Sequence, residues 1–161
     1  MELYLIRHAE AAPVGEKGVE DDTERPLTKK GETQSEKLGK FFKEHGLVLD
    51  KLFASPLVRA RQTAELMLPA LRQSKLAVET TDALMPGAKP RKLAKFLQSV
   101  QGERIGMVGH LPHIAVWAAW LIGGKKAQID IAKAGVACIA CGEMPGKALG
   151  TLQWLITPEW F

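Results

Sequence analysis

Cysteine is nearly missing from this sequence: Cys138 and Cys141 are the only two in 161 residues. One pair cannot staple a disulfide scaffold, and a chain of this length buries roughly two thirds of its unfolded surface without one. Aromatic side chains make up 6%, too few for a platform on which nucleobases stack. Long apolar runs are missing too. The longest, residues 114–122, falls well short of the ~20 residues needed to cross a bilayer. No signal-peptide pattern opens the chain, because Arg7 and His8 interrupt the apolar run that begins at Leu3. Nor is there a strong excess of one charge. The 22 Lys and Arg against 18 Asp and Glu give +4, a surplus that suits an anionic ligand but not a nucleic-acid surface. These absences predict one domain over residues 1–161, cytoplasmic, bound to neither membrane nor nucleic acid.

What is present is an alternation of strand-like and helix-like patterns. Residues 3–6 are almost continuously apolar, as in a strand covered on both faces. Residues 13–25 are polar and read as a loop. Thr28 is a candidate N-cap for a helix carrying Leu38, Phe41 and Phe42, with Gly46 just beyond its end. Residues 51–54 read as a second strand. Ser55-Pro56 predicts a helix capped by Ser55, with Pro56 in its first position. A third strand is expected at 76–79, a loop at 82–90, and a helix bearing Leu93, Phe96, Leu97 and Val100. A fourth strand follows at 105–108, then a helix opened by Pro112 and stopped by Gly123-Gly124. Residues 136–141 and 149–156 read as a hairpin turning at Pro145-Gly146. This order predicts an α/β fold, a three-layer α/β/α sandwich whose mostly parallel sheet ends in an antiparallel edge hairpin.

Three segments place cationic or imidazole groups at the carboxyl ends of these strands, where open α/β sheets bind ligands. They are Arg7-His8, the stretch from Ser55 through Arg59 to Thr63, and Gly109-His110. Arg59 is expected about one turn into the helix capped by Ser55, with its guanidinium leaning back toward the sheet. Two arginines and two histidines around one point suit a phosphoryl group. Arginine offers paired donors to phosphate oxygens, and a neutral imidazole can take up the phosphoryl group covalently. Neither a metal-ligand cluster nor a Gly-rich Walker loop is present, so no cofactor and no metal is expected.

The motifs Leu5-Ile6-Arg7-His8-Ala9-Glu10, Ser55-Pro56-x-x-Arg59-Ala60-x-Gln62-Thr63-Ala64 and Gly109-His110, in that order, resemble the histidine phosphatase superfamily (phosphoglycerate-mutase-like). The resemblance implies His8 as nucleophile, with Arg7, Arg59 and His110 forming the phosphate pocket. Ala9 stands where the family usually has Gly, a change compatible with a negative φ. No cap domain fits between the third and fourth strands. With Arg25-Pro26-Leu27-Thr28 and His110-Leu111-Pro112, the chain resembles the small SixA-type phosphohistidine phosphatases. A phosphorylated histidine-containing protein, such as a phosphotransfer domain, is then the implied substrate partner. Glu10 and Asp82 are the candidate proton donors. A P–N bond needs such a donor less than a phosphate ester does, since imidazole leaves more readily than alkoxide. The alternatives are a small-molecule phosphomonoesterase of the same superfamily and a non-catalytic phosphate-binding module.

Other residues read more plainly. Arg25 either binds substrate at the pocket rim or pairs with the acids around it. Arg61 reads as surface, His113 as a surface residue at a helix start, and His45 as a helix C-terminal cation. Trp117 and Trp120 read as core, and Lys29-Lys30 and Lys125-Lys126 as solvated charges able to steer an acidic partner. Cys138 and Cys141, in one strand, are expected on opposite faces and not as a zinc or redox pair.

Overall fold

The computed structural model describes residues 1–161 apart from 17 and 125, so the expectation for Lys125 lies outside the described residues. Six strands form one sheet: β1 (Glu2–Arg7), β2 (Lys51–Ala54), β3 (Val78–Thr80), β4 (Arg104–Gly109), β5 (Val136–Cys141) and β6 (Gly150–Ile156). Their order is β3-β2-β4-β1-β5-β6. The first four run parallel, while β5 and β6 complete the sheet in antiparallel fashion. Four helices connect or flank them: α1 (Lys29–Glu44), α2 (Val58–Leu71), α3 (Pro90–Leu97) and α4 (His113–Leu121).

The sheet is apolar on both faces, and the period of two along β1 sorts its residues between them. Tyr4 and Ile6 join Leu52, Ala54 and Val108 against Leu38, Phe42, Ala60 and Met67 of α1 and α2. Leu3 and Leu5 join Phe53, Ile105 and Met107 against Leu93, Leu97, Ile114 and Trp117 of α3 and α4. The sandwich therefore has the three layers expected. Cys138 lies on the first face and Cys141 on the second; both thiols are free and buried. Burial pushes the Cys138 thiol up to about 12, which keeps it protonated and inert.

The register aligns the ends of the strands. Arg7 pairs with Gly109, and Ala54 with Val108. The next amides continue the pattern, His8 donating to Gly109 at 3.0 Å and Ser55 to Val108 at 2.9 Å. All three motifs thus emerge at one edge. The last of those bonds also corrects the expected start of α2. Ser55 is still held extended by the sheet, so the helix begins two residues beyond Pro56, with Leu57 as an N-cap that makes no side-chain bond. Arg59 is consequently the second residue of the helix, not a turn inside it. β3 also begins two residues later than expected, pairing only with β2 at the sheet edge.

Thr28 does cap α1, accepting from Gly31 N, and Gly46 follows the C-cap His45 with φ +66°. α1 lies close against α2 at Gly39. A Cβ there would lie 2.5 Å from the carbonyl oxygen of Met67 and 3.0 Å from its Cα. Because backbone cannot yield as a side-chain tip does, Gly39→Ala is expected to lower unfolding free energy by about 1–3 kcal/mol. Denaturant titration measures this; an unchanged midpoint would show that the two helices can separate freely.

Candidate active site

His8 follows β1 and is 9% exposed. Its Nδ1 lies 2.7 Å from the carbonyl oxygen of Ala9. A carbonyl only accepts, so Nδ1 carries the proton and Nε2 keeps its lone pair. Ala9 itself is buried and is not in the left-handed region, so a side chain is accommodated where glycine is usual. The Ala9 amide donates to Thr63 Oγ1 at 3.0 Å, and that hydroxyl donates to the Arg59 carbonyl at 2.7 Å. The ring of His110, 3% exposed, lies beside His8 with centroids 5.0 Å apart. Neither of its nitrogens has a partner among the described residues.

The charges of three guanidinium groups, Arg59, Arg7 and Arg25, act on His8, and that of Arg59 also on His110. Arg7, ending β1, donates from one terminal nitrogen to the Ile131 carbonyl at 3.0 Å, while its Nε is unpartnered. Arg59, 5% exposed, donates one terminal nitrogen to the Asp22 carbonyl and the other to Asp22 Oδ2 at 3.0 Å. Its Nε is likewise unpartnered. Arg25 donates to the Ala12 carbonyl through Nε and to Asp22 Oδ1, at 2.9 Å, through a terminal nitrogen. Arg25 thus pairs with an acid, one of the two expectations for it, and stands close enough for its charge to act on His8.

Sequence reasoning missed Asp22, which sits in a short 3-10 turn (Asp22–Glu24) within the polar loop. It also assigned nothing to Gln62, whose Oε1 accepts the Leu27 amide at 2.8 Å. Spacing carried a signal for it: Arg59, Gln62 and Thr63 are neighbours on one helical face.

The two candidate proton donors are placed differently. Glu10 accepts from Thr28 Oγ1 at 3.2 Å and lies 3.5 and 3.6 Å from Lys30 and Lys133. Burial raises its pKa, but Lys30, the Thr28 hydrogen bond and Lys133 outweigh that and hold it below the usual carboxylate range. Asp82 is exposed, in a groove of about 700 Å³ with Lys92, Lys95 and Phe96, whose lining includes neither His8 nor His110. His113 is half-buried, which corrects the surface reading. Its Nε2 accepts the Gly87 amide at 2.7 Å, tying the loop after β3 to the start of α4. His45 caps α1, with Nδ1 2.9 Å from the Phe41 carbonyl. Arg61 and Lys126 are exposed, and Trp117 is core, whereas Trp120 is only partly buried. Lys29 pairs with Glu32 at 2.7 Å. Among the described residues no group of three or more His, Cys, Asp or Glu could hold a metal ion, and no helix is long and apolar enough to cross a membrane.

Residues 3–85 match the family model of the histidine phosphatase superfamily (branch 1). The phosphohistidine phosphatase SixA of Escherichia coli K12 is 26% identical over 161 aligned residues, which cover 98% of this chain and 94% of that protein. The solved structure of the protein histidine phosphatase SixA complexed with tungstate superposes with a TM-score of 0.84 at 24% identity, covering 98% of this chain and 97% of the other. A putative α-ribazole-5′-phosphate phosphatase from E. coli K-12 has the same fold, with a TM-score of 0.74, 21% identity and 98% of each chain covered.

Electrostatics set the protonation state of the histidine pair. Burial, with the charges of Arg59, Arg7 and Arg25, outweighs the Ala9 hydrogen bond and holds His8 down at about 4. Burial, followed by His8 and Arg59, holds His110 at about 3. Both imidazoles are neutral at neutral pH. In an unfolded chain they titrate near 6.5, so between about 4 and 6.5 the folded protein binds fewer protons than the unfolded one at His8. Their contribution to stability is therefore present above about 6.5 and is lost as pH falls through that window. Unfolding free energy is expected to drop as pH goes from 6.5 to 4, and His8→Asn or His110→Asn is expected to flatten the slope. Imidazole NMR shifts give a direct check: a His8 ring that titrates near 6.5 in the folded protein would rule out this account.

Proposed function

We propose that this chain, which belongs to the histidine phosphatase superfamily, removes phosphate from a phosphohistidine side chain of another protein through a covalent phosphohistidine on His8. The observation that carries the reading is the His8 ring. Its Nδ1 proton is pinned on the Ala9 carbonyl, and Nε2 keeps its lone pair among three guanidinium groups. A binding module has no need of a neutral, oriented nucleophile.

In the first step Nε2 of His8 attacks phosphorus as the P–N bond to the substrate imidazole breaks. The electron pair goes to the leaving ring nitrogen, which takes up a proton. In the second step water attacks the phosphoryl group on His8. The P–Nε2 bond breaks, its pair returns to Nε2, and inorganic phosphate leaves with the oxygen and protons of the water. Arg7 and Arg59 hold the equatorial oxygens through their unpartnered Nε groups, with Arg25 at the rim. His110 donates a ring N–H to a phosphoryl oxygen. A bound dianion replaces the repulsive surroundings of that ring with attraction and raises its proton affinity.

The disposition of Glu10 and Asp82 favours a P–N bond over an ester. Glu10 is held ionised by lysines and Asp82 lies exposed in the Lys92 groove, so neither is set to protonate an alkoxide. The likeness in sequence to SixA supports the same choice. The fold shared with an α-ribazole-5′-phosphate phosphatase keeps a small phosphomonoester as the second reading. The cytoplasm is the proposed compartment, in keeping with two free buried thiols.

Rates on a phosphohistidine protein and on a panel of alkyl phosphomonoesters, measured side by side, decide between them. The phosphohistidine substrate is expected to turn over faster, and the reverse order would sink the reading. Brief reaction with labelled substrate is expected to leave label on the wild-type chain and none on His8→Ala. Arg59→Ala is expected to lower kcat/KM by about 10²–10³.

A further inference from the structure

Asp22 stands against two of the pocket arginines, yet the reaction as described gives it no part. Its Oδ2 is 3.0 Å from Arg59 and its Oδ1 2.9 Å from Arg25, so one carboxylate spans both guanidinium groups. Its backbone carbonyl takes a third N–H, also from Arg59. Arg59 is buried and cannot draw its partners from bulk water, whereas the Asp22 side chain is about half exposed. One edge of Arg59 is thus fixed by Asp22, while its Nε stays without a partner.

The charges are as informative as the distances. Arg7, Arg25 and Arg59 bring three positive charges, and His8 and His110 are neutral. Asp22, its carboxyl held below the usual range first by the Arg25 hydrogen bond and then by Arg59, brings one negative charge. Asp130 acts on Arg7 only through space, whereas Asp22 is hydrogen-bonded to Arg25 and Arg59 and offsets one positive charge directly at these two guanidiniums. The other groups that hold these guanidiniums, the carbonyls of Ile131 and Ala12, satisfy N–H bonds without neutralising charge.

We propose that Asp22 is a positioning and charge-offsetting residue of the phosphate pocket: its carboxylate holds Arg59 and Arg25 in register and offsets one of their positive charges, so that the product leaves. Without that carboxylate the pocket carries one more uncompensated charge and retains inorganic phosphate. The inference rests on the phosphate pocket proposed above and adds a residue that acts through the arginines.

Two substitutions separate its parts. Asp22→Asn keeps a side-chain acceptor oxygen for one of the two arginines and removes the charge, whereas Asp22→Ala removes both the charge and the side-chain acceptor. Calorimetric titration of the full chain with inorganic phosphate reads the charge effect directly. Asp22→Asn is expected to bind phosphate about tenfold more tightly than wild type, as Coulomb's law gives for one charge at this range in a partly screened site. Steady-state kinetics on the phosphohistidine protein are expected to show kcat and KM falling together in that variant, the mark of slowed product release. Asp22→Ala is expected to fall at least tenfold below Asp22→Asn in kcat/KM, because Arg59 then keeps only the Asp22 backbone carbonyl and Arg25 loses its side-chain partner. A carboxylate that only braced the loop would give weaker phosphate binding in both variants. Unchanged or weaker binding by Asp22→Asn therefore overturns the inference while leaving the pocket in place. If wild type binds no phosphate, or Arg59→Ala binds it equally well, the pocket itself is overturned.

Discussion

Thr63 Oγ1 accepts the Ala9 amide while donating to the Arg59 carbonyl, and this buried pair of bonds fastens the segment after β1 to the first turns of α2. A strand alone would send Arg7 and His8 to opposite faces. β1 ends at Arg7, so His8 is released from that alternation, and the segment after it is held in place because the Ala9 amide has a buried partner. Gln62 repeats the device one residue earlier in α2 by taking the Leu27 amide, and Arg59 repeats it again by gripping Asp22. The loop between β1 and α1 is thus held at three points by one helical face. From α1, Gln34 accepts the Glu10 amide, and Gly31 sits where any Cβ would strike the Glu10 carbonyl. The geometry at His8 is a property of α2 and α1 as much as of the strand that ends beside it.

Gathering cations in a buried place has consequences that reach the histidines. Burial comes first in holding both rings neutral, joined at His8 by the charges of Arg59, Arg7 and Arg25 and at His110 by His8 and Arg59. The cations proposed to bind a phosphate dianion thus help to keep His8, the proposed nucleophile, unprotonated. Tautomer choice completes the preparation, because only an Nδ1–H can satisfy the Ala9 carbonyl.

Four of the proposed site residues were legible because each stands where a strand pattern ends: Arg7 at the end of β1 and His8 just after it, Arg59 after β2, and His110 after β4. Asp22 was not legible, because Glu20, Asp21, Asp22 and Glu24 lie together in a polar stretch and nothing local distinguishes the acid that meets Arg59. The start of α2 was misread for a different reason. Ser-Pro is a helix-start signal at the level of propensity, but the Ser55 amide is claimed by Val108 and the chain stays extended until Leu57. At β3 the pattern was weak because the strand pairs on one side only and leaves two of its three residues exposed. His113 looked like surface because its partner, the Gly87 amide, belongs to a loop far away in sequence.

That last contact bears on what the site can admit. The passage from β3 to β4 is where a covering element would have to arise, and here its side chains are committed elsewhere. Leu93 and Leu97 of α3 are buried in the second face of the sandwich, Phe96 packs edge-on against Phe53 at 4.9 Å, and the loop before α3 is clipped to His113. These contacts fix the passage against the second face of the sandwich and the start of α4. Selectivity then has to come from the leaving group and from the surface that presents it. An imidazole leaving group needs little proton assistance, and the ion-paired Glu10 offers little. Under the proposed function, a phosphoryl group carried on the side chain of a folded partner satisfies both conditions, whereas an alkyl phosphate would need a proton that the ion-paired Glu10 is not set to give.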